Sequence, residues 1–248
     1  KLETYFSKWE FTARYNMAAS DVESLSVSDL LAMSTIDDKK AFHELWLGYT
    51  ETFGKKELRY EISKTYDSAI PENILCFAGA EEGIYVAMRV LLSHNDHAII
   101  VVPNYQSAET IPLDICEVSG VPLNPEENWS LDIDRIKNEI RPNTKLISIN
   151  FPNNPTGAIL GRERFDELIN ICRQRGLYLF SDEVYRLMEH DIRLRLPQVG
   201  DIYERGLSLN VMSKAYGLPG LRLGWIMCKD ENILQNMERY KHYLSICN

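Results

Sequence analysis

A chain of 248 residues, 45% hydrophobic and 25% charged, carries enough apolar material to bury one large domain, or one domain and a piece of another. Its formal charge of −9 and pI near 5.2 argue against nucleic-acid and anionic-membrane partners, although net charge does not fix the potential of a local anion pocket. No apolar run approaches the roughly 18 residues of a membrane span, no signal peptide is visible, and the five histidines and five cysteines lack metal-ligand or CxxC spacing.

Residues 1–48 read as an aromatic, irregular arm with short helices around 28–33 and 39–47. From residue 49 to 248 one large domain is expected. Apolar residues recur at helical spacing over 57–66, and past Pro71 strands and amphipathic helices alternate. A strand at 74–77 and a helix at 81–92 come first. The very apolar, β-branched strand at 98–102 suits a sheet covered on both faces. A helix at 106–114 and a strand at 115–118 follow, then a helix at 132–140 that Ser130 caps or precedes and Arg141-Pro142-Asn143 stops. Strand 145–149, helix 162–175 and strands 177–181, 207–211 and 222–228 complete the series, with room for one antiparallel member. Such alternation calls for a three-layer α/β/α domain around a mostly parallel sheet. Four cysteines lie in apolar stretches and read as small buried hydrophobes in a reducing cytoplasm. The chain begins at Lys1 rather than Met and stops shortly after a helical-looking run, so it reads as a piece of a longer protein.

Asn154, Asp182 and Lys214 each follow a short apolar run, at intervals of 28 and 32 residues. That is about one strand-plus-helix repeat, and groups just past successive parallel strands converge on one crevice. An amide, a carboxylate and an amine meeting there are what is needed to hold a pyridinium ring and bond covalently to its aldehyde. A single lysine is normally solvated, but an amine at a strand end facing a crevice is partly desolvated and can be nucleophilic. Eight residues on, Arg222 sits in a Gly-rich turn that brings a guanidinium near Lys214 and suits bidentate grip of a phosphate. Asp182 would keep a pyridine nitrogen protonated, although Ser181 or Asp182 would equally serve as a helix N-cap. Tyr185, one helical turn further, would reach a ring hydroxyl, whereas Glu183 reads as solvated.

Asn154 lies in a rigid Asn-Asn-Pro-Thr-Gly loop, which also has a purely structural reading as an Asn-Pro turn. Phe77 to Gly83 is a strand, a small-residue turn and a helix start, where the amides of Ala80 and Glu81 favour an anion. It matches neither GxGxxG nor a Walker loop, which weakens dinucleotide and triphosphate readings. Tyr105 ends a strand and would stack on a planar ring, or simply pack.

Taken in order, Asn-Asn-Pro-Thr-Gly, Ser-Asp-Glu-Val-Tyr and Ser-Lys-Ala-Tyr-Gly-Leu-Pro-Gly-Leu-Arg-Leu-Gly resemble the fold-type I pyridoxal-phosphate enzymes, specifically class I/II aminotransferases. The resemblance covers most of the chain and implies the large domain of that fold, with the small C-terminal domain absent or truncated. It implies that Lys214 carries pyridoxal 5'-phosphate as an internal aldimine and acts at the substrate Cα, and that Asp182 partners the pyridine nitrogen. It further implies that Asn154 and Tyr185 bond the ring hydroxyl, that Tyr105 stacks, and that Arg222 with the amides of Ala80 and Glu81 holds the phosphate. Tyr49, in Leu-Gly-Tyr-Thr-Glu-Thr-Phe-Gly, matches a tyrosine that reaches the partner subunit's cofactor phosphate, which implies a homodimer with shared sites. The substrates implied are an amino acid and a 2-oxo acid.

Two departures accompany the likeness. Where many relatives carry a hydroxyl phosphate donor three residues before the lysine, this chain has Val211, leaving Ser213 as the nearby hydroxyl. The arginine that grips the substrate α-carboxylate in the family belongs to the C-terminal domain and has no counterpart here. Phe-Thr-Ala-Arg-Tyr-Asn-Met-Ala-Ala-Ser-Asp, Gly-Tyr-Thr-Glu-Thr and Pro-Asn-Tyr-Gln-Ser are similar to capreomycidine-synthase-like members, so elimination or cyclisation on the same lysine stands as an alternative to transamination. A non-catalytic ligand-sensing domain of a regulator is a second alternative.

Overall fold

The apolar runs past Pro71 assemble into one seven-stranded sheet in the computed structural model, which describes residues 2–248. Four helices precede it: α1 (Leu2–Trp9), α2 (Val27–Met33), α3 (Ile36–His43) and α4 (Lys56–Ser63). The alternating region runs β1 (Ile74–Ala78), α5 (Ala80–Leu91), β2 (His97–Val102), α6 (Gln106–Leu113), β3 (Glu117–Pro122), α7 (Ile133–Glu139) and β4 (Thr144–Asn150). It continues with α8 (Arg162–Arg175), β5 (Tyr178–Asp182), α9 (Val199–Ile202), β6 (Gly206–Val211), β7 (Leu223–Cys228) and α10 (Glu231–Lys241).

The strand order is β1-β7-β6-β5-β4-β2-β3. β7 pairs antiparallel with both β6 and β1, and the other pairings are parallel. Successive strand side chains point to opposite faces, so a continuous apolar run feeds two cores at once. Ala98 and Ile100 join Phe77, Ile84, Leu209 and Met237 on one face, while Ile99 and Val101 join Ile147, Leu168 and Leu179 on the other. A third cluster joins Ile62 and Tyr66 to β1 and β7 through Ile74, Cys76, Trp225 and Met227. The parallel strands share one C-terminal edge. β7, running against them, begins at that edge.

Local chemistry shifted several expected boundaries. α3 starts at Ile36 because Thr35 and Asp38 form a reciprocal capping box, and it ends at His43 rather than 47. Asp132, not Ser130, caps α7, its Oδ1 accepting from the amides of Asp134 and Arg135. The third strand lies at Glu117–Pro122 instead of 115–118, because the amides of Ile115 and Cys116 turn back onto the Pro112 carbonyl. Gly120 and Pro122 obscure that strand in sequence, yet an edge position tolerates both. α1, within the stretch expected to be irregular, is helical and docks through its Leu2 amide on Gln106 Oε1 at 2.5 Å.

Candidate active site

The ends of β4, β5 and β6 bring the expected groups together. Register sets Asn150 beside Asp182, and Asp182 beside Leu209. Asn150 ties the two strand ends, its Nδ2 donating to the Asp182 carbonyl at 3.0 Å while its Oδ1 accepts from the Asn154 amide at 2.7 Å. Asn153 anchors the same loop to the Pro103 carbonyl after β2, at 3.0 Å. Asn154 is thereby aimed inward and its Nδ2 donates to the Tyr185 hydroxyl at 3.1 Å. Tyr185 sits in a turn rather than in the first turn of a helix, with its hydroxyl beside the Asn154 amide.

Asp182 is 3% exposed and accepts a hydrogen bond from the Val184 amide at 3.1 Å. Burial pushes its carboxyl up to about 7, and the Val184 amide and the Lys214 charge offset only part of that rise. Lys214, three residues past β6, lines the same cavity; its Nζ donates to Asp21 Oδ1 at 2.5 Å and to Ser20 Oγ at 3.1 Å. Ser20 Oγ also accepts from the Tyr185 hydroxyl at 2.8 Å.

Across the cavity, α5 begins at Ala80 directly after Gly79, whose φ is +83°. A Cβ on Gly79 would lie 2.4 Å from Arg222 Nη2, so the guanidinium rests against the bare backbone at the helix start. Gly224 admits the same turn from the other side, since a Cβ there would come within 2.7 Å of the Gly79 carbonyl carbon. The uncapped start of α5, with its helix dipole, and the Arg222 guanidinium therefore lie side by side, an arrangement that suits an anion. Glu81, at the helix start, accepts from Ser107 Oγ at 2.9 Å, and burial raises its carboxyl. Tyr105 precedes α6 and donates its hydroxyl to Glu3 Oε1 at 2.7 Å; burial, then that bond, holds the phenol well above its usual range.

Ala80, Glu81, Tyr105, Asn154, Asp182, Tyr185, Ser213, Lys214 and Arg222 all line one cavity of about 280 Å³. Val211 lines it too, and Ser213 is buried at its wall. Tyr49 does not: it is 81% exposed and lies outside the lining. Glu183, expected to be solvated, is instead buried. Its Oε1 accepts from the Val199 amide at 2.9 Å and Ser208 Oγ at 3.0 Å, and burial pushes its carboxyl up to about 7. Alternation along Phe180–Glu183 sends it to the face opposite Asp182, where α9 closes over it. Sequence reasoning gave no site role to Asn150, whose strand-end position beside Asp182 was a usable signal, nor to Glu10, Ser20 and Asp21, although the last two close the segment Phe-Thr-Ala-Arg-Tyr-Asn-Met-Ala-Ala-Ser-Asp.

Comparisons with known proteins point the same way as this geometry. A family model described as aminotransferase class I and II matches residues 20–247. Aspartate aminotransferase of Pyrococcus horikoshii is 31% identical over 212 residues, covering 83% of this chain and 54% of that protein. Capreomycidine synthase of Streptomyces vinaceus is 25% identical, covering 99% of this chain and 63% of that protein. A solved structure of a PLP-dependent aminotransferase from Streptococcus suis superposes with a TM-score of 0.91 at 32% identity, covering 99% of this chain and 66% of that one. The chain thus spans between about half and two thirds of the length of these relatives.

Proposed function

Because the chain belongs to the class I and II aminotransferases, we propose that the protein transfers an amino group from an amino acid to a 2-oxo acid, using pyridoxal phosphate held through Lys214. The observation that carries this reading is an amine and a buried carboxyl meeting in one cavity, opposite an anion cradle. The residues fit the cofactor. Asp182, deeply buried and with a carboxyl raised to about 7, lacks a strong cationic partner, and a protonated pyridine nitrogen is such a partner. The amides at the start of α5 and the Arg222 guanidinium suit a phosphate.

When bound, the cofactor supplies an aldehyde that bonds amines and a ring that takes up electrons. The chain's own groups do the rest. Asp182 holds a proton at the ring nitrogen, and Asn154 with Tyr185 orients the ring through its hydroxyl. Tyr105, in the same lining, would stack on the ring. Ser213 and Arg222 bind phosphate, with the Ala80 and Glu81 amides beside them. The Lys214 amine would hold the cofactor aldehyde and, when free, would take the proton from the substrate Cα, its place in the cavity wall keeping it within reach of that atom.

The exposed Tyr49 belongs, in this reading, to a homodimer in which it reaches the partner subunit's cofactor phosphate. No helix among the described residues is long and apolar enough to cross a membrane, and the cysteines are free. A cytoplasmic setting accommodates both. The test is reconstitution of the full-length protein with pyridoxal phosphate. Lys214→Ala should abolish both the absorbance of the lysine-bound cofactor and turnover, and borohydride should tag Lys214 in the wild type. A K214A protein that keeps the absorbance and transaminates refutes the assignment.

A further inference from the structure

The segment that crosses the cavity mouth bears on which amino acid enters. Residues 2–25 are tied at several points to the cavity lining and to residues beside it. The Leu2 amide bonds Gln106, Glu3 bonds the Tyr105 hydroxyl, Ser20 bonds the Tyr185 hydroxyl, and the Leu25 amide bonds the Gly217 carbonyl at 3.1 Å. The charged side chains this segment contributes to the cavity lining are Glu10 and Asp21, both acidic. Its cations turn elsewhere: Lys8 packs over Trp9, and Arg14 over Tyr15.

A second feature shows what these acids hold. Asp21 and Ser20 together already bind a primary ammonium, that of Lys214. Among the described residues, Lys214 and Arg222 are the two cationic members of the cavity lining. On the aminotransferase reading above, the cofactor takes both, and its ring nitrogen satisfies Asp182. While Lys214 holds the cofactor, Asp21 and Glu10 face the incoming substrate with no other cation among the described residues of the lining. A second carboxylate on the substrate would meet like charge there, whereas a side-chain cation would replace the ammonium that Asp21 has lost.

We propose that Asp21, with Ser20 and Glu10, selects an amino donor whose side chain ends in a cation, a guanidinium or an ammonium, and discriminates against dicarboxylic amino acids. Asp21 is a specificity residue for the substrate's far end, and its contact with Lys214 is the state it adopts before the cofactor is bound.

The test uses full-length holoenzyme with L-arginine, its neutral isostere L-citrulline, and L-aspartate. Dissociation constants come from titrating the cofactor absorbance without a 2-oxo acid, and kcat/KM from steady-state turnover. Arginine should be favoured over citrulline by about threefold or more in both measurements, the scale of one charge pair formed at a partly exposed site. Asp21→Asn should collapse that ratio toward one. Equal handling of arginine and citrulline by the wild type overturns the proposal, as does a preference for aspartate. A D21N protein that loses both substrates in equal measure also overturns it, because Asp21 would then act through Lys214. These failures leave the aminotransferase reading intact so long as some amino acid is transaminated. Absence of lysine-bound cofactor and of any turnover removes both.

Discussion

Gly79 shows how much of the site depends on a missing side chain. Its φ of +83° is costly for an L residue, and the space a Cβ would take is held by the Arg222 guanidinium. Gly79→Ala should therefore cost about 1–3 kcal/mol of stability and weaken cofactor binding as Arg222 is pushed off the start of α5. Thermal unfolding and a cofactor titration check the two effects separately; unchanged affinity would mean that Arg222 does not serve the phosphate. Asp182 is the opposite case, a charged group kept where solvent cannot reach. Asp182→Asn preserves size and the Val184 hydrogen bond, so cofactor affinity should change little. Turnover should fall roughly 100-fold or more, as for a lost electrostatic partner at a reacting centre. An unchanged rate in steady-state assays would remove the electronic role of this carboxyl.

At the scale of elements, Glu183 is a brace. It joins β5 to β6 through Ser208 Oγ and to the start of α9 through the Val199 amide, while Ser208 Oγ in turn accepts from the Gly200 amide at 2.8 Å. Its Oε2 is buried without a hydrogen-bond partner among the described residues. Glu183→Ala should strand a buried amide and a hydroxyl and cost about 1–3 kcal/mol. Glu183→Gln keeps an acceptor and should cost less, with equilibrium unfolding in urea as the measurement. The sequence hid this brace because a carboxylate after Asp182 looks like any solvated acid. Only the closure of α9 over β5 and β6 buries it. The shift of β3 to residues 117–122 has a similar origin: hydrogen bonding of an edge strand outweighs the local discouragement of Gly120 and Pro122.

The whole molecule should record its two raised carboxyls in its pH dependence. Asp182 and Glu183 both bind protons more tightly folded than unfolded, each pushed to about 7 by burial. The folded state then holds more protons between their unfolded values near 4 and 7, so stability of the cofactor-free protein is fully present below that window and declines as pH rises through it. Scanning melting temperature from pH 4 to 8 should show this decline, shallower in Asp182→Asn or Glu183→Gln. Cofactor loading should remove the Asp182 share, because a ring cation favours its ionised form. A cofactor-free protein whose stability rises across this range would contradict the burial of these groups.

Legibility followed the range of the forces involved. Strand-and-helix alternation has a fixed residue length, and parallel strands must end on one edge. The sequence alone therefore placed Asn154, Asp182 and Lys214 in one crevice, and the small residues around Gly79 marked the anion cradle. Ser20 and Asp21 arrive at Lys214, and Glu10 at the same cavity, from nearly 200 residues away along an arm with no periodic pattern, and only packing of that arm against Tyr105, Tyr185 and Gly217 brings them there. Strand geometry is written into local side-chain period, so it can be read in advance. Which distant loop settles over the strand ends depends on contacts between groups far apart in sequence, and that the folded chain alone decides.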